Sequence, residues 1–484
     1  MLTRRSLLRL GLGAGVAGAV AGPLTQTFAA AAPAAAGAGT SSAAAAQFTV
    51  PLTTPPVLSP LWKSSTTDYY AVVMRKARTE ILPGRSTDVL TYNGSFPGPT
   101  LRARSGRRAV VQQFNLLDTP TSPHLHGGSV PEASDGGRMQ YMIDPMRTRT
   151  YTYPNHQSHA TLWTHDHAHH TAAESVYRGL ASAYVLQDDT ELGLGLPSGK
   201  YDVPLVLRDA DLDENAQLVW TMDDPFNRTT IMVNGRAWPY MKVEGRKYRF
   251  RLVNASNLRI FILRLSDGSP VTQIGTGGGL LEKPYTSPVM VISPGERIDF
   301  VIDFAQYAPG TQLVLNNLIG PGPTDLIGNV MRFDVGKPVA DDSTVPDTLQ
   351  TLPALPKPTV ERDFTMSMDA PGTGGKGYIN GKTYDPDRID TAIDFGATEV
   401  WNVKNIDPAL PHNFHTHLVQ FRILERDGAP VPPPEAGLKD TVLLFPGQSV
   451  KLQLTFDSYR GVFPYHCHML DHAAMGMMAQ MKIA

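Results

Sequence analysis

The chain has 484 residues, more than one hydrophobic core normally organises, so its length predicts two or three domains. Its 43 basic and 45 acidic residues nearly cancel, which argues against nucleic acid or anionic lipid as a partner and favours small molecules. The single cysteine, Cys467, excludes an internal disulfide bond.

Residues 1–46 resemble an export signal followed by a flexible lead-in. The pair Arg4-Arg5 precedes a glycine-rich apolar stretch from Leu10 to about Ala21, and Ala-x-Ala cleavage positions follow near Ala29. This arrangement is typical of a twin-arginine signal, which predicts export to the extracellular space, cell wall or periplasm. The apolar stretch is shorter than the about 20 residues that span a membrane, so we expect no stable membrane anchor.

Three similar units then follow one another along the chain. Each begins at an Asn-Gly turn, at Asn93, Asn234 and Asn380, and alternating apolar segments follow it. Short runs of Val, Ile, Phe and Thr, interrupted by 43 glycines and 40 prolines, favour antiparallel β-sandwiches or barrels over helices. We therefore predict an all-β chain with domains over residues 47–190, 199–335 and 359–484, and a linker over 336–358.

The first predicted domain contains two histidine pairs, His124-Leu-His126 and His165-Asp-His167. Side chains alternate between the two faces of a strand, so both histidines of an H-x-H pair point the same way and can hold one metal site. A single pair is also common on surface strands, and that alternative stays open for each pair taken alone. The second domain contains no histidine, which predicts a spacer that lets the first and third domains meet.

The third domain carries two further clusters, His412-x-x-His415-x-His417 and His466-Cys-His468-x-x-x-His472. In the last cluster, strand alternation turns Cys467 away from its two histidine neighbours and toward a second site. Neutral imidazole is the commonest metal ligand and thiolate selects soft metals. Two histidines, a cysteine and a weak axial methionine are typical of a blue copper site, and Met477 is well placed for the axial position.

Four clusters around one cysteine favour copper over the alternative of a buried, inert thiol. The other histidines lie outside the motif positions, and we predict that they are loop or surface residues, with an outer contact to the copper centre as the alternative: His156, His159, His169 and His170. Methionines such as Met139 and Met475 could bind Cu(I), although packing is the simpler role.

In this order the clusters resemble the multicopper oxidase family, in particular the laccase-like members. The segments His124 to Gly128, Pro154 to His167 and His466 to Met477 most resemble bacterial three-domain laccases of the spore-coat and phenoxazinone-synthase type. The resemblance covers nearly the whole mature chain. It implies three cupredoxin-like Greek-key domains and four copper ions, of which one is type 1, one is type 2 and two form a type 3 pair.

The resemblance also implies which residues hold each copper ion. Type 1 copper would be held by His412, Cys467 and His472 with axial Met477, and type 2 copper by His124 and His415. The type 3 pair would be held by six histidines: His126, His165, His167, His417, His466 and His468. Electrons from phenols or aromatic amines would then pass through Cys467 and its neighbours to dioxygen, four for each dioxygen reduced to two waters.

Protons must accompany these electrons, and Asp135 matches the acidic position that the family carries after its first H-x-H pair. An ordinary Asp-Gly turn is the alternative for Asp135. Ala473 stands where bacterial relatives often carry glutamate, so no second donor is assigned. Asp471, on the other side of His472, could substitute, but a neighbouring position on a regular element points elsewhere. Other functions stay open: a copper-tolerance oxidase that takes Cu(I) as its reductant, and, against the complete ligand set, a non-enzymatic cupredoxin protein or a simple electron carrier.

Overall fold

The computed structural model describes residues 47–369 and 375–484. These residues form 33 β-strands and only short helices, so the predicted all-β architecture is confirmed. In this part of the chain we find no helix with the length and apolarity that crossing a bilayer requires. The export signal predicted over residues 1–46 lies outside the described residues.

Residues 62–187 form a pair of sheets around one core. The first sheet has the order β1-β2-β5-β7 with β3 paired to β2, and the second has the order β4-β9-β8-β6. Residues such as Tyr70, Leu125 and Leu162 fill the space between them. The strands are β1 Trp62–Lys63, β2 Thr67–Glu80, β3 Ser86–Tyr92, β4 Gly98–Arg104, β5 Arg108–Asn115, β6 Pro123–His126, β7 Thr148–Tyr153, β8 Ala160–Asp166 and β9 Ala181–Gln187.

Residues 202–338 form the second pair of sheets, with the orders β13-β12-β10-β15-β20-β17-β18 and β14-β22-β21-β16-β19; β11 pairs with β10. The strands are β10 Asp202–Leu212, β11 Leu218–Val219, β12 Thr230–Val233, β13 Arg236–Ala237, β14 Tyr240–Gly245, β15 Lys247–Asn254, β16 Phe261–Leu265, β17 Val271–Thr276, β18 Gly279–Ser287, β19 Met290–Ile292, β20 Arg297–Asp303, β21 Gln312–Asn317 and β22 Asn329–Pro338. Phenylalanines such as Phe250, Phe300 and Phe333 meet in the core.

Residues 360–483 form the third pair, with the orders β24-β23-β26-β31-β28-β29 and β25-β33-β32-β27-β30. The strands are β23 Val360–Met368, β24 Gly377–Ile379, β25 Thr391–Ile393, β26 Thr398–Asn405, β27 His412–Thr416, β28 Phe421–Arg426, β29 Ala429–Pro430, β30 Thr441–Leu444, β31 Ser449–Thr455, β32 Gly461–Cys467 and β33 Met478–Ile483.

Helices serve only as short connections. The α-helices are α1 Ala172–Arg178, α2 Asp189–Gly193, α3 Thr324–Ile327 and α4 Leu470–Ala474, and the 3₁₀ helices are Glu132–Ser134, Met139–Tyr141, Gly199–Tyr201, Phe304–Gln306 and Pro433–Glu435. Helix α1 packs against α4, where Ala173, Val176 and Leu470 form a small cluster. This contact joins the first unit to the third beside the last histidine cluster.

The three Asn-Gly pairs adopt the turn geometry that the sequence predicts. Asn93, Asn234 and Asn380 have φ values of 55, 49 and 51°. The glycine after each also has a positive φ, as a tight hairpin turn of this type requires. Each turn lies at the same place in its unit, which fits a threefold repeat. The predicted domain boundaries themselves stay predictions.

The expectation of purely antiparallel sheets is wrong, because each of the six sheets contains a parallel pair: β2 with β5, β4 with β9, β10 with β15, β14 with β22, β23 with β26, and β25 with β33. Parallel neighbours arise where a strand returns by a long crossover to lie beside an earlier one. Side-chain alternation along a strand carries no information about the direction of its neighbour, so the sequence pattern could not reveal this.

Candidate metal centre

Strand register brings the histidine pairs of the sequence together. In the first unit β6 runs antiparallel to β8, and His124 lies opposite His165. In the third unit β27 runs antiparallel to β32, and His415 lies opposite His466. Directly opposed residues have Cβ atoms roughly 4.5–5.5 Å apart, so each pair of strands presents a patch of imidazoles on one face.

The two patches face each other across the boundary between the first and third units. His468 Nε2 lies 3.0 Å from His126 Nδ1 and 3.3 Å from His165 Nε2. His466 Nε2 lies 3.2 Å from His167 Nε2 and 3.3 Å from His417 Nε2. Nitrogen atoms that each lie about 2.0 Å from one tetrahedral ion are separated by roughly 3.3 Å. Each of these four pairs of nitrogen atoms therefore has the spacing of two ligands that share a metal ion.

A third position lies between His124 and His415. Among the described residues, the Nε2 atoms of both find no hydrogen-bond partner although both are buried. Their other nitrogens are fixed, since Asp135 O accepts from His124 Nδ1 at 2.6 Å and Asp440 O accepts from His415 Nδ1 at 2.8 Å. Buried polar atoms without partners are costly, and a metal ion would satisfy these two lone pairs.

The histidines of this cluster are held in the neutral form that binds metal. Burial, together with the neighbouring imidazoles, lowers the pKa of His165 and His167 to about 3 and that of His466 to about 4. Burial also depresses the pKa of the remaining members well below the ordinary value: His124, His126, His415, His417 and His468. Metal ions and protons compete for the same lone pairs, so these neutral imidazoles have lone pairs available for a metal ion.

The metal-free chain should therefore lose stability on acidification. Below the ordinary histidine pKa of 6.5, these histidines bind protons in the unfolded chain but not in the folded chain. The free energy of unfolding is therefore largest above pH 6.5 and decreases as the pH falls toward the folded pKa of about 3 to 4. The slope approaches about 1.4 kcal/mol per pH unit for each such histidine. Urea unfolding of the metal-free chain at pH 7, 6 and 5 measures it, and a free energy of unfolding that does not change with pH would contradict it.

A second ligand set lies on the other side of Cys467. His412 Nδ1 lies 3.2 Å from His472 Nδ1, and Cys467 Sγ lies 3.7 Å from the same His472 nitrogen. All three side chains are buried. Met477 is buried beside them, and its carbonyl accepts the Cys467 N–H at 3.0 Å. Two imidazoles, one thiol and a buried methionine whose backbone contacts Cys467 have the composition of a blue copper site.

Three consecutive residues at the end of strand β32, His466 to His468, join the two ligand sets. His466 and His468 point to the eight-histidine cluster, whereas Cys467 points to His472, as strand alternation predicts. Burial raises the pKa of the Cys467 thiol to about 12, so a metal ion must displace its proton on binding. The shortest covalent path between the two sets is the backbone from residue 466 to residue 468.

Asp135 lies directly against the eight-histidine cluster. Its Oδ2 is 2.9 Å from His417 Nδ1 and accepts the Gly137 N–H at 3.1 Å. Complete burial raises the pKa of Asp135 to about 8. A carboxyl group with such a pKa holds its proton at neutral pH beside the cluster, where a general acid would need it.

Asp471 does not face the cluster, as its neighbouring position next to His472 predicts. Its Oδ2 accepts from Arg228 Nη2 at 2.7 Å and from the Asp223 N–H at 2.8 Å. Its Oδ1 accepts from Asn257 at 2.9 Å. All three partners belong to the second unit, because helix α4 directs this side chain away from His466 and His468.

Three acidic residues near the ligand sets were missed from the sequence. Asp440 Oδ1 lies 2.8 Å from His126 Nε2, and Asp407 Oδ2 lies 3.5 Å from His412 Nε2. Asp223 Oδ1 lies 3.8 Å from His472 Nε2. Asp440 and Asp223 are far in sequence from the histidines that they meet. Asp407 lies in a loop without periodicity. No spacing rule could therefore have found these three residues.

The histidines outside the motifs have other surroundings. His159 lies in the loop before β8, where it is buried and its Nδ1 lies 2.8 Å from Asp188 Oδ2. The ring centroid of His169 lies 3.7 Å from that of His170 and 4.9 Å from that of Tyr384. His156 is exposed. Groups of three close metal-binding side chains within the described ranges do not include any of the four.

Family models and known proteins match most of this chain. A model described as multicopper oxidase matches residues 74–191, and a second with the same description matches residues 348–484. The chain is 33% identical to the laccase of Bacillus subtilis over 90% of this chain and 98% of that protein. It is 36% identical to the bilirubin oxidase of Albifimbria verrucaria over 95% of this chain and 85% of that one.

Solved structures extend the likeness to the fold. A laccase from Pediococcus acidilactici superposes with a TM-score of 0.83 at 32% identity, covering 90% of this chain and 93% of that one. A multicopper oxidase from Campylobacter jejuni, described as a metallo-oxidase, superposes with a TM-score of 0.80 at 26% identity, covering 90% and 96%. The predicted architecture of cupredoxin-like domains is confirmed by these neighbours.

Proposed function

Since this chain belongs to the multicopper oxidase family, we propose that it is a laccase-like enzyme that oxidises phenols and aromatic amines with dioxygen as the electron acceptor. The family makes it an oxidoreductase that reduces dioxygen, and its histidine clusters fit copper. One observation carries the proposal: a buried set of two histidines and one cysteine is joined through Cys467 to a cluster of eight histidines.

The proposed ligand sets follow the distances between nitrogen atoms. Type 1 copper would be held by His412, Cys467 and His472 with axial Met477, and type 2 copper by the Nε2 atoms of His124 and His415. One type 3 ion would be held by His126, His165 and His468, and the other by His167, His417 and His466. When bound, four copper ions supply one-electron oxidation of the donor and four-electron reduction of dioxygen to two waters.

The residues of the chain itself have three tasks in this scheme. Four of the neutral imidazoles turn a free nitrogen toward the proposed metal positions because their Nδ1 atoms are hydrogen-bonded to backbone oxygens: His124, His165, His415 and His466. The backbone from His466 to His468 links the two ligand sets by covalent bonds. Asp135, protonated at neutral pH and 2.9 Å from His417 Nδ1, is the proposed proton donor for oxygen reduction.

The surroundings of His472 support an organic substrate. Its Nδ1 points to the type 1 set, so its Nε2 faces the second-unit loop that contains Asp223, 3.8 Å away. Met222 and Phe226 in the same loop are exposed. A phenol hydroxyl or an aromatic amine could donate a hydrogen bond to this carboxylate while its ring lies on the apolar side chains.

Oxidation of Cu(I) is the second candidate. The loop beside His472 offers the Met222 thioether together with Asp223, and Met139 and Met146 are exposed in another segment. Thioethers and carboxylates can bind Cu(I) and its product. The likeness to the Campylobacter jejuni metallo-oxidase favours the same alternative.

Purified, copper-loaded protein distinguishes these functions. The measurements are copper per chain, the visible spectrum, and oxygen uptake with dimethoxyphenol, o-aminophenol and Cu(I). The proposal expects four copper ions, a blue absorption band and higher kcat/KM for the organic donors. Higher kcat/KM for Cu(I) would favour the copper-tolerance oxidase, and fewer than four ions would contradict both.

Axial Met477 should keep the reduction potential of the type 1 copper low and so favour electron-rich donors. We expect Met477→Leu to raise this potential, and each increase of about 59 mV shifts a one-electron equilibrium tenfold toward the reduced metal. Redox titration of the blue band measures it. Met478→Leu, also buried and one residue further on, is the matched control and should leave the potential unchanged. An unchanged potential in Met477→Leu would rule out axial ligation.

We also propose that the chain is exported by its twin-arginine-type signal in residues 1–46, a proposal that the sequence of that segment carries. Cell fractionation tests it. Recovery of the entire protein from the cytoplasm, with its N-terminal segment still attached, would contradict export.

A further inference from the structure

A buried carboxylate lies behind the histidines proposed for type 2 and type 3 copper. Asp440 precedes strand β30 and is 1% exposed. Its Oδ1 lies 2.8 Å from His126 Nε2 and accepts the Thr441 hydroxyl at 2.9 Å, and its backbone oxygen accepts from His415 Nδ1. One residue therefore holds two of the proposed copper ligands, one from the first unit and one from the third.

His126 differs from its neighbours in the ring nitrogen that it turns inward. Its Nδ1 faces His468 Nε2 at 3.0 Å. Other histidines of the cluster bind an oxygen atom through Nδ1 and turn Nε2 inward: His124, His165, His415, His417 and His466. Arg297 donates to both oxygens of Asp440, so Oδ1 acts as an acceptor toward His126, which places the hydrogen of His126 on Nε2 and leaves the Nδ1 lone pair for metal.

Arg297 holds Asp440 in place from the second unit. Its Nη1 and Nη2 donate to the two carboxylate oxygens at 2.7 and 2.5 Å. Its remaining donors bind three carbonyl oxygens at 2.9 Å, those of Thr161, Gly295 and Gly277. All five guanidinium hydrogens are thus used, in a pair that is almost completely buried.

Two glycines leave the space that this pair occupies. A Cβ atom on Gly127, which follows His126 and has a φ of +80°, would lie 2.5 Å from Arg297 Nη2 and 2.6 Å from Asp440 Oδ2. A Cβ atom on Gly277 would lie 2.8 Å from Arg297 Cζ. Side chains at these positions would displace the ion pair, so backbone from the first and second units is shaped around it.

We propose that Arg297 and Asp440 are positioning residues of the trinuclear copper site, through which the histidine-free second unit fixes the orientation and tautomer of His126. This rests on the trinuclear assignment made under the proposed function. The second unit then does more than separate its neighbours, because it supplies the guanidinium that holds both oxygens of a buried carboxylate in a fixed orientation behind a copper ligand.

The decisive variant is Asp440→Asn, which keeps the size of the side chain but can turn either amide atom toward His126 and no longer dictates its tautomer. We expect a folded protein with an unchanged blue type 1 band. The near-ultraviolet absorption of the type 3 pair should shift or be lost, and oxygen uptake should fall roughly 10- to 100-fold. Arg297→Lys, which keeps the charge but loses the bidentate fork, should shift the same band less.

Asp209→Asn is the matched control. Asp209 pairs with Arg259 Nε at 2.9 Å, lies in the second unit like Arg297, and is as buried as Asp440. The Asp209→Asn variant should have lower thermal stability, while its copper content, type 3 band and type 2 electron paramagnetic resonance signal should be unchanged. A purely structural role for Asp440 predicts the same behaviour for both variants.

An unchanged type 3 band and four bound copper ions in Asp440→Asn would overturn the proposal. If Asp440→Asn fails to fold, the same result in Arg297→Lys overturns it. These outcomes leave the proposed function intact, because the wild-type chain still holds its four ions. Fewer than four ions in the wild-type chain itself would refute the proposed function instead, and the positioning role with it.

Discussion

Cys467→Ser should abolish the blue absorption and the oxidation of phenols together. Serine lacks the soft thiolate that a blue copper site requires, and Cys467 is the only cysteine of the chain, so no other residue can replace it. The eight-histidine cluster does not include this side chain, so we expect the variant to keep the copper ions bound there. Visible spectra, copper analysis and oxygen uptake with dimethoxyphenol measure the three effects.

The control is Met469→Leu, two residues away in the same core and 2% exposed. This change conserves volume and removes no proposed ligand, so the blue band should remain. A blue band that survives in Cys467→Ser would show that the thiol does not bind the type 1 copper. Loss of all copper from the same variant would show that the two ligand sets are not independent.

Asp135→Asn should slow oxygen reduction at least roughly 100-fold, the lower range of what general acid catalysis contributes. Asparagine keeps the shape and can still accept the hydrogen bond from His417, but it has no proton to give. Wild-type turnover should fall as the pH rises past the pKa of Asp135, since the acid must be protonated to act. The variant should lack this alkaline decline. Steady-state oxygen uptake across pH measures both effects.

Anaerobic reduction of the blue band by substrate provides the control for Asp135→Asn. That step uses the type 1 set, which contains no atom of Asp135, and should proceed at the wild-type rate. If reduction of the blue band slows as much as oxygen uptake, Asp135 acts on the structure of the protein and not on proton delivery. A wild-type rate of oxygen uptake in the variant would exclude Asp135 as a required donor.

Much of the site could be predicted from the sequence, because the spacing of residues along a strand determines the face to which each side chain points. An H-x-H pair presents both imidazoles on one face, and the His466-Cys-His468 motif divides its side chains between two faces, as the distances to His167, His165 and His472 show. The Asn-Gly turns predicted their positive φ values for the same local reason. These features depend on neighbours within a few residues.

What the sequence could not reveal depends on contacts between distant segments. The pairing of Asp440 with Arg297 joins residues 143 positions apart, and that of Asp440 with His126 spans 314. The place of Asp471 beside His472 predicted only that its side chain points elsewhere, and its partners, Arg228 and Asn257, could not be predicted because they are distant in sequence. Parallel strand pairs were missed because the crossovers that create them leave no periodic signal.

The proposed ligands of one metal ion are far apart along the chain, so a bound ion would also cross-link distant segments. His126 and His468 lie 342 residues apart, and His167 and His466 lie 299 apart. A metal ion gripped by both members of such a pair closes a ring that includes most of the molecule, and closing long rings removes freedom from the unfolded chain. A chain with one cysteine cannot form such a cross-link as an internal disulfide bond, so bound copper would provide it. A chelator would remove this cross-link, whereas removing a disulfide bond requires a reductant.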